Sequence, residues 1–125
     1  MKYYIASSFA NISQVCSLNQ TLSEMGHSVT YDWTKNERTT IIANMNRIAQ
    51  LEKAAVLESD IFIMLLPAGR GSHIEYGMAL ATDKPIILYS PQNEVLETTF
   101  YHMPNVQIVT GNDRELVKAI VATVK

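Results

Sequence analysis

The sequence has little of what stabilises or localises secreted and membrane proteins. It contains one cysteine, Cys16, which cannot form an internal disulfide, so we expect a reducing, cytoplasmic location. The first nine residues lack the apolar run of a signal peptide. No stretch approaches the roughly 20 apolar residues that cross a bilayer, so no membrane association is expected.

Basic residues are also few. Twelve acidic and ten basic residues give a formal net charge of −2, whereas binding to a nucleic-acid polymer requires a basic surface that neutralises phosphates. We therefore expect no nucleic-acid partner. With 125 residues, 47% of them hydrophobic, the chain can form one domain, residues 1–125, with its own core.

Several common catalytic and cofactor motifs are missing. Ile74 occupies the third glycine position of a possible GxGxxG motif that begins at Gly69, and neither GK[ST] nor GxSxG occurs. The histidines have no second ligand at metal spacing. The sequence therefore predicts no dinucleotide, P-loop or zinc site, and we expect no cofactor.

Apolar strands and amphipathic helices alternate along the chain. Strands are predicted at 2–7, 28–33, 60–66, 84–89 and 106–109, and helices at 12–25, 40–58, 72–82 and 113–124, with a further short helix possible within 90–104. Uninterrupted apolar strands that alternate with helices favour a parallel sheet covered on both faces. The predicted fold is a flavodoxin-like (Rossmann-like) α/β sandwich with three layers and strand order 2-1-3-4-5.

Such folds bind ligands beyond the carboxyl ends of their strands, where the strand order reverses. That rule selects a set of candidate substrate-binding residues: Ser7, Ser8, Phe9, Asp32, Trp33, Gly69, Arg70, Gly71, Ser72 and Ser90. Glycines between a strand and a helix start allow backbone N–H groups to approach an anion. The loop after the third strand is therefore a candidate phosphate or carboxylate site.

Glu52 lies on the apolar side of the second predicted helix. The apolar stripe consists of Ile41, Met45, Ile48, Ala49, Ala55 and Val56. A carboxylate that faces a core costs several kcal/mol unless it is paired, hydrogen-bonded or protonated. Glu52 is either a structural carboxylate that meets solvent or an arginine, or a functional carboxylate with a shifted pKa.

Glu75 also has two interpretations. Ser72 and Glu75 form the S-x-x-E pattern of a capping box, in which the glutamate accepts a hydrogen bond from the backbone of the serine. Alternatively, Glu75 is a functional carboxylate, since it follows the loop selected by the ligand-binding rule. A pair of carboxylates there would suit glycosidic chemistry, one attacking the anomeric carbon and the other handling the proton.

Several segments together resemble one enzyme family. They are Tyr4-Ile5-Ala6-Ser7-Ser8, Gly26-His27-x-Val29-Thr30-x-Asp32-Trp33, Ser59-Asp60, the block Gly69-Arg70-Gly71-Ser72-x-x-Glu75-x-Gly77-x-Ala79-x-Ala81, and Lys84-Pro85. The chain resembles the nucleoside 2-deoxyribosyltransferase superfamily, which includes the 2'-deoxynucleoside 5'-monophosphate N-glycosidases. The resemblance extends from about residue 3 to 100.

The resemblance implies cleavage or transfer at the N-glycosidic bond of a 2'-deoxynucleoside or its 5'-monophosphate. Glu75 matches the nucleophile that forms a covalent deoxyribosyl-enzyme, so the reaction would retain configuration. Tyr4 matches a tyrosine beside that nucleophile, and Glu52 matches the family's acidic residue, usually an aspartate one methylene shorter. Ser8 and the Gly71-Ser72 turn match the pocket for the 5' end.

Two further features follow from the same resemblance. Ala10 or Asn11 replaces an arginine that binds phosphate in the nucleotide-cleaving branch, and Arg70 is a candidate to compensate for it. A neighbouring subunit completes the family's site from the segment after the fourth strand, which here makes Glu97 or Thr98 the candidate. A homodimer or larger homo-oligomer is therefore implied.

Two other functions remain open at this stage. The first is a catalytically idle nucleoside- or nucleotide-binding module, since one fold hosts many functions. The second is a flavodoxin-like protein that binds a flavin. The presence of both Glu52 and Glu75 favours an enzyme.

Overall fold

Five parallel strands form one sheet in the computed structural model, which describes residues 1–92 and 98–124. The strands are β1 (Lys2–Ser7), β2 (Ser28–Val29), β3 (Ile61–Leu65), β4 (Ile86–Tyr89) and β5 (Val106–Val109), ordered β2-β1-β3-β4-β5. This order confirms the predicted flavodoxin-like topology. The order reverses between β1 and β3, so the carboxyl end of β1 lies where a ligand is expected.

Four α-helices cover the sheet within the described part of the chain. They are α1 (Ile12–Glu24), α2 (Ile42–Glu58), α3 (Arg70–Ala81) and α4 (Asp113–Thr123). Short 3₁₀ turns lie at Phe9–Asn11, Trp33–Lys35 and Thr99–His102. None of the helices in these ranges is both long and apolar enough to cross a membrane.

The central strands are apolar because they are buried on both faces. Every residue of β3 and β4 is buried, as the uninterrupted apolar runs predicted. On β1 the side chains alternate between the two faces of the sheet. Tyr3 reaches α1, where its hydroxyl donates to Asn19 Oδ1 at 3.0 Å, whereas Tyr4 faces the other side and stacks on Phe62 at 5.9 Å between ring centroids.

The outer helices bury the faces that their apolar spacing predicted. Val15, Leu18 and Leu22 of α1, spaced as one face of a helix, are buried, whereas Met25 beyond its end is exposed. Gly26 follows with φ +90°, the left-handed conformation that glycine adopts readily after a helix. In α4, Leu116 and Ile120 are fully buried.

The predicted second strand is too long, since β2 has two residues rather than six. Beyond it, hydrogen bonds other than a sheet ladder satisfy the backbone. Asp32 accepts from the Thr34 amide at 3.0 Å and so caps a 3₁₀ turn. The Trp33 indole donates to the Ile5 carbonyl at 2.6 Å, at the edge of β1 where β2 has ended.

The apolar stripe of α2 is not a core stripe over its full length. Ala55 and Val56 are buried, but Ile41 and Met45 are 62% and 45% exposed. The reason is topological, because α2 runs back from the carboxyl edge of the sheet and only its later turns cover β1 and β3. Its first turns stand at that edge and contribute to a cavity.

The remaining differences concern the segments around α3 and β4. Helix α3 begins at Arg70, two residues before the predicted start. The uncertain segment 90–104 contains a 3₁₀ turn whose first amides are capped by the Thr98 hydroxyl, which accepts from Phe100 N at 3.4 Å. Glu97 lies outside the described residues.

Candidate active site

An open cavity of about 890 Å³ lies at the carboxyl edge of the sheet, between the end of β1, the first turns of α2 and the start of α3. It brings together most of the predicted site residues, namely Ser7, Ser8, Phe9, Trp33, Glu52, Gly69, Gly71, Ser72 and Glu75. Tyr4, Asp32, Arg70, Ser90 and Thr98 do not line it. The ligand-binding rule for parallel sheets therefore located the cavity but not all of its lining residues.

The two glutamates meet at one tyrosine. The Tyr4 hydroxyl lies 2.6 Å from Glu75 Oε2 and 3.1 Å from Glu52 Oε2. A phenol has one proton, so it donates to Glu75 at the shorter distance. The Glu52 contact becomes a full hydrogen bond when the Glu52 carboxyl carries a proton and donates to the phenol oxygen.

Tyr4 is held firmly in this position. Its side chain is fully buried, and its ring stacks on Phe62, whose edge in turn meets Tyr76 at 6.3 Å between centroids. Burial and the nearby charges of Glu75 and Glu52 hold the pKa of Tyr4 far above its usual value. The phenol therefore stays protonated and acts as a fixed hydrogen-bond donor.

Glu75 is not part of a capping box. It lies in the second turn of α3, and its side chain is 8% exposed. Ser72 is inside the helix, and its hydroxyl donates to the Ser7 carbonyl at 3.0 Å. That bond ties α3 to the end of β1, and the Glu75 carboxylate turns to Tyr4.

Glu75 holds its proton unusually strongly. Burial raises its pKa to about 8, and the charge of Glu52 adds to this, while the hydrogen bond from Tyr4 opposes it. A second carboxylate at the same phenol makes ionisation of Glu75 harder, in the same direction as burial. Perturbed titration beside a cavity is typical of catalytic carboxylates.

Glu52 reaches this cluster from the third turn of α2. Its side chain is half-buried and lines the cavity, and within the described residues it contacts Tyr4 rather than an arginine. The apolar stripe correctly predicted the side of α2 on which Glu52 lies. That side lines a cavity at this point and not the core. Neighbours Met45, Ile48 and Ala49 form an apolar wall of the same cavity.

The start of α3 offers a different kind of surface. The first amides of a helix have no partner within that helix, and they favour an anion. Gly69 and Gly71 leave the space above this backbone open, since a Cβ built at either would meet no atom within 4 Å. Ser8 lies on the same cavity, where its hydroxyl accepts from Ala10 N at 3.2 Å.

Ser7 has a structural role in the same loop. Its hydroxyl donates to the Leu65 carbonyl at 2.8 Å and accepts from the Asn11 amide at 2.9 Å. Asn11 also donates to the Pro67 carbonyl at 2.9 Å. These bonds join the ends of β1 and β3 and keep the floor of the cavity in place.

The sequence analysis missed one side of the cavity, formed by residues 36–40 and the start of α2. Arg38 belongs to this segment, and its guanidinium carbon lies 4.6 Å above the Phe9 ring, which meets the Trp33 ring edge-on at 5.4 Å. Arg70, which was expected to supply a positive charge, does not line the cavity. The polar run after β2 could have indicated these residues, because it leaves the sheet at the same edge as the other candidates.

No group of three or more metal-ligating side chains is found in residues 1–92 and 98–124. His73 is occupied by other contacts, with Nδ1 2.8 Å from the Gly69 carbonyl and Nε2 2.5 Å from the Tyr101 hydroxyl. These contacts join the start of α3 to the 3₁₀ turn Thr99–His102. His73 is therefore a structural link next to the cavity.

Comparison with solved structures confirms the fold. The CMP N-glycosidase BcmB from Clostridium botulinum matches with a TM-score of 0.73 and 22% identity, over 97% of this chain and 99% of that chain. The solution structure of BlsM matches with a TM-score of 0.67 and 20% identity, over 94% of this chain and 85% of that chain. No protein-family model and no curated protein sequence matches this chain.

Proposed function

We propose that this protein belongs to the nucleoside 2-deoxyribosyltransferase superfamily and cleaves the N-glycosidic bond of a nucleoside or its 5'-monophosphate. The observation that carries the proposal is the Glu75–Tyr4–Glu52 cluster, in which two carboxylates meet at a buried phenol and open into a cavity. The match to a CMP N-glycosidase supports the same reaction class.

Glu75 is the nucleophile in this proposal. Its carboxylate attacks C1' of the sugar, a C1'–O bond forms, the C1'–N bond breaks, and the electron pair leaves with the base nitrogen. Water then attacks C1', gives a proton to the Glu52 carboxylate and releases Glu75, or a second base does so in a transfer reaction. Two displacements at C1' retain the configuration.

The departing base needs a proton. In the active form Glu75 is ionised, and Glu52 is the acid that passes a proton to the base directly or through a water molecule. Tyr4 donates to the Glu75 carboxylate and keeps it aimed at the cavity. The phenol therefore positions the nucleophile, while the paired glutamate supplies the acid.

The start of α3 is the proposed site for the 5' end of the substrate. The open backbone at Gly69 and Gly71, with Ser8 beside it, offers hydrogen-bond donors to a phosphate. The resemblance favours a 2'-deoxy sugar, and CMP in the name of the matched enzyme favours a ribonucleotide as the second candidate. Both sugars belong in the assay.

We also propose a homodimer or larger homo-oligomer that completes the site. Apolar side chains near the cavity are left uncovered, with Ile41, Ile42 and Ile74 62%, 78% and 64% exposed. Thr98 does not line the cavity of its own chain, which is consistent with a contribution to a partner's site. Glu97 remains the alternative contributor.

The test is chromatographic. The protein is incubated with each nucleoside and nucleoside 5'-monophosphate, in ribo and deoxy forms, with and without a second free base. Free base alone indicates hydrolysis, and a new nucleoside indicates transfer. Glu75→Gln is the control variant. If neither the wild type nor this variant releases base, a catalytically idle binding module explains the protein better.

A further inference from the structure

Arg38 and Lys53 are cationic residues of the cavity lining that the proposed reaction leaves without a role. The Arg38 guanidinium lies over Phe9, with Cζ 4.6 Å from the ring centroid. The described residues contain one ion pair, Lys2–Glu58, so no described carboxylate holds the Arg38 guanidinium. Its donors therefore remain available to a ligand in the cavity.

The sheet order places Arg38 on the opposite side of β1 from the start of α3. The segment that carries Arg38 follows β2, on one side of β1, whereas α3 begins after β3, on the other side of β1. Tyr4 of β1 lies between them with the two glutamates. A substrate with its 5' end at α3 and C1' at Glu75 therefore directs its base toward Arg38.

The surroundings of Arg38 suit a flat, uncharged ring. Phe9 and Trp33 provide aromatic surface, and Met45, Ile48 and Ala49 of α2 provide the opposite apolar wall. The Phe9 ring holds the guanidinium by a cation–π contact, so fewer of its orientations are accessible. A base that enters between these walls meets the edge of the guanidinium.

A guanidinium has five N–H donors and no acceptor, so it pairs best with two adjacent acceptors. Cytosine presents O2 beside N3, and guanine presents O6 beside N7. Uracil and thymine carry a hydrogen on N3, and adenine has its amino group beside N7, so each presents a donor where Arg38 also donates.

We propose that Arg38 determines base specificity and selects a base with two adjacent acceptors, cytosine among pyrimidines or guanine among purines. The proposal rests on the proposed function, because it takes the base of a nucleotide as the group in this part of the cavity. A correct two-donor pair discriminates by about 10- to 100-fold against the mismatched base.

The test compares Arg38→Met and Arg38→Lys with the wild type. Arg47→Met is the matched control, since Arg47 is an exposed arginine of α2 that does not line the cavity. The substrates are CMP, UMP, GMP, AMP and cytidine, each also in its deoxy form. Two ratios of kcat/KM are decisive: matched to mismatched base, and monophosphate to nucleoside.

The wild type is expected to prefer CMP to UMP, or GMP to AMP, by about 10- to 100-fold. Arg38→Met should bring that base ratio close to one and leave the ratio of CMP to cytidine unchanged, while Arg47→Met leaves both ratios unchanged. Arg38→Lys keeps the charge but not the paired donors, so it should lose most of the base preference.

Three outcomes overturn the proposal. In the first, Arg38→Met keeps the wild-type ratio between matched and mismatched bases. In the second, Arg38→Met loses the preference for CMP over cytidine, which would assign Arg38 to the phosphate. In the third, Arg38→Lys discriminates between bases as well as the wild type.

If the wild type releases no base from any substrate, the proposed reaction fails separately. Calorimetric titration of CMP and UMP into the wild type and Arg38→Met then decides: tighter CMP binding that depends on Arg38 supports the proposal, and its absence overturns it.

Discussion

The hydroxyl of Tyr4 on the central strand donates a 2.6 Å hydrogen bond to the carboxylate of Glu75, 71 residues further along the chain. Both side chains are buried, and Glu52 meets the same hydroxyl from a different helix. This contact joins the sheet to α3 and lowers the pKa of the Glu75 carboxyl, against the larger effect of burial. The first two predictions test that arrangement.

The first prediction concerns the pH dependence of catalysis in Tyr4→Phe. We expect kcat/KM of the wild type to rise as the pH approaches about 8, because the Glu75 carboxyl must lose its proton to act as the nucleophile. Because the Tyr4 hydrogen bond lowers the pKa of Glu75, its removal should move this rise to higher pH. It should also lower the maximal rate about 10- to 100-fold, since the nucleophile loses its positioning donor.

The measurement is the profile of kcat/KM against pH for both proteins. Phenylalanine preserves the stack on Phe62, so near-ultraviolet circular dichroism should show an intact fold. A rise of kcat/KM that stays at the same pH in Tyr4→Phe contradicts the proposed effect of this hydrogen bond on the Glu75 carboxyl.

The second prediction separates the acid from the nucleophile. Glu52→Gln should slow cleavage of ordinary substrates about 10²- to 10⁴-fold, the usual contribution of a general acid. The loss should be small for a substrate whose base is already made cationic by N-methylation, because that base departs without a proton. The variant should also reach its maximal rate at lower pH, since burial still raises the pKa of Glu75 but the added effect of the Glu52 charge is gone.

Glu58→Gln is the matched control, because Glu58 is on the same helix but exposed and outside the cavity. Equal losses of Glu52→Gln on both classes of substrate would argue against its role as the acid.

The third prediction concerns stability. The pKa of folded Glu75 is about 8, above its ordinary value of 4.5, so the folded state binds this proton more tightly than the unfolded state. The stability that depends on this proton is fully present below about pH 4.5 and is lost as the pH rises toward 8. Glu75→Gln cannot ionise, so its free energy of unfolding should increase relative to that of the wild type by on the order of 1 kcal/mol per pH unit within that window.

Urea unfolding of both proteins at several pH values between 5 and 8 measures this difference. Curves of unfolding free energy that run parallel for wild type and Glu75→Gln would show that Glu75 titrates normally in the folded protein.

The fourth prediction addresses the short edge strand. Trp33 donates to the Ile5 carbonyl at 2.6 Å, where β2 no longer supplies a ladder partner. Trp33→Phe keeps an aromatic ring but leaves this carbonyl unpaired, which should lower the free energy of unfolding by about 1–3 kcal/mol. Urea denaturation measures the loss, and an unchanged midpoint and slope would mean that the indole bond contributes nothing.

The sequence predicted the sheet well and its edges less well. Uninterrupted apolar runs identified β3 and β4 because burial on both faces leaves no alternative for such residues. Strand β2 was predicted four residues too long, because bonds from Asp32 and Trp33 that end the pairing depend on tertiary contacts.

The candidate catalytic residues were predicted from different kinds of evidence. Glu75 came from its position after the loop that follows the third strand, Glu52 from its place on a helix face, and the family resemblance supported both and added Tyr4. Whether Ser72 caps Glu75 could not be decided locally, because the competing partner of Ser72 is the Ser7 carbonyl, 65 residues away. Arg38 was missed because its stack on Phe9 joins two loops and leaves no periodic signal.

The central claim is that Glu75 attacks the sugar, and rapid quenching during turnover tests it most directly. Samples of wild type with the best deoxynucleotide and its ribonucleotide are quenched on the millisecond timescale and analysed by intact and peptide mass spectrometry. The account predicts a transient adduct with the mass of the sugar phosphate on the peptide that contains Glu75, and neither adduct nor base release in Glu75→Gln. Base release at the wild-type rate by Glu75→Gln would contradict it.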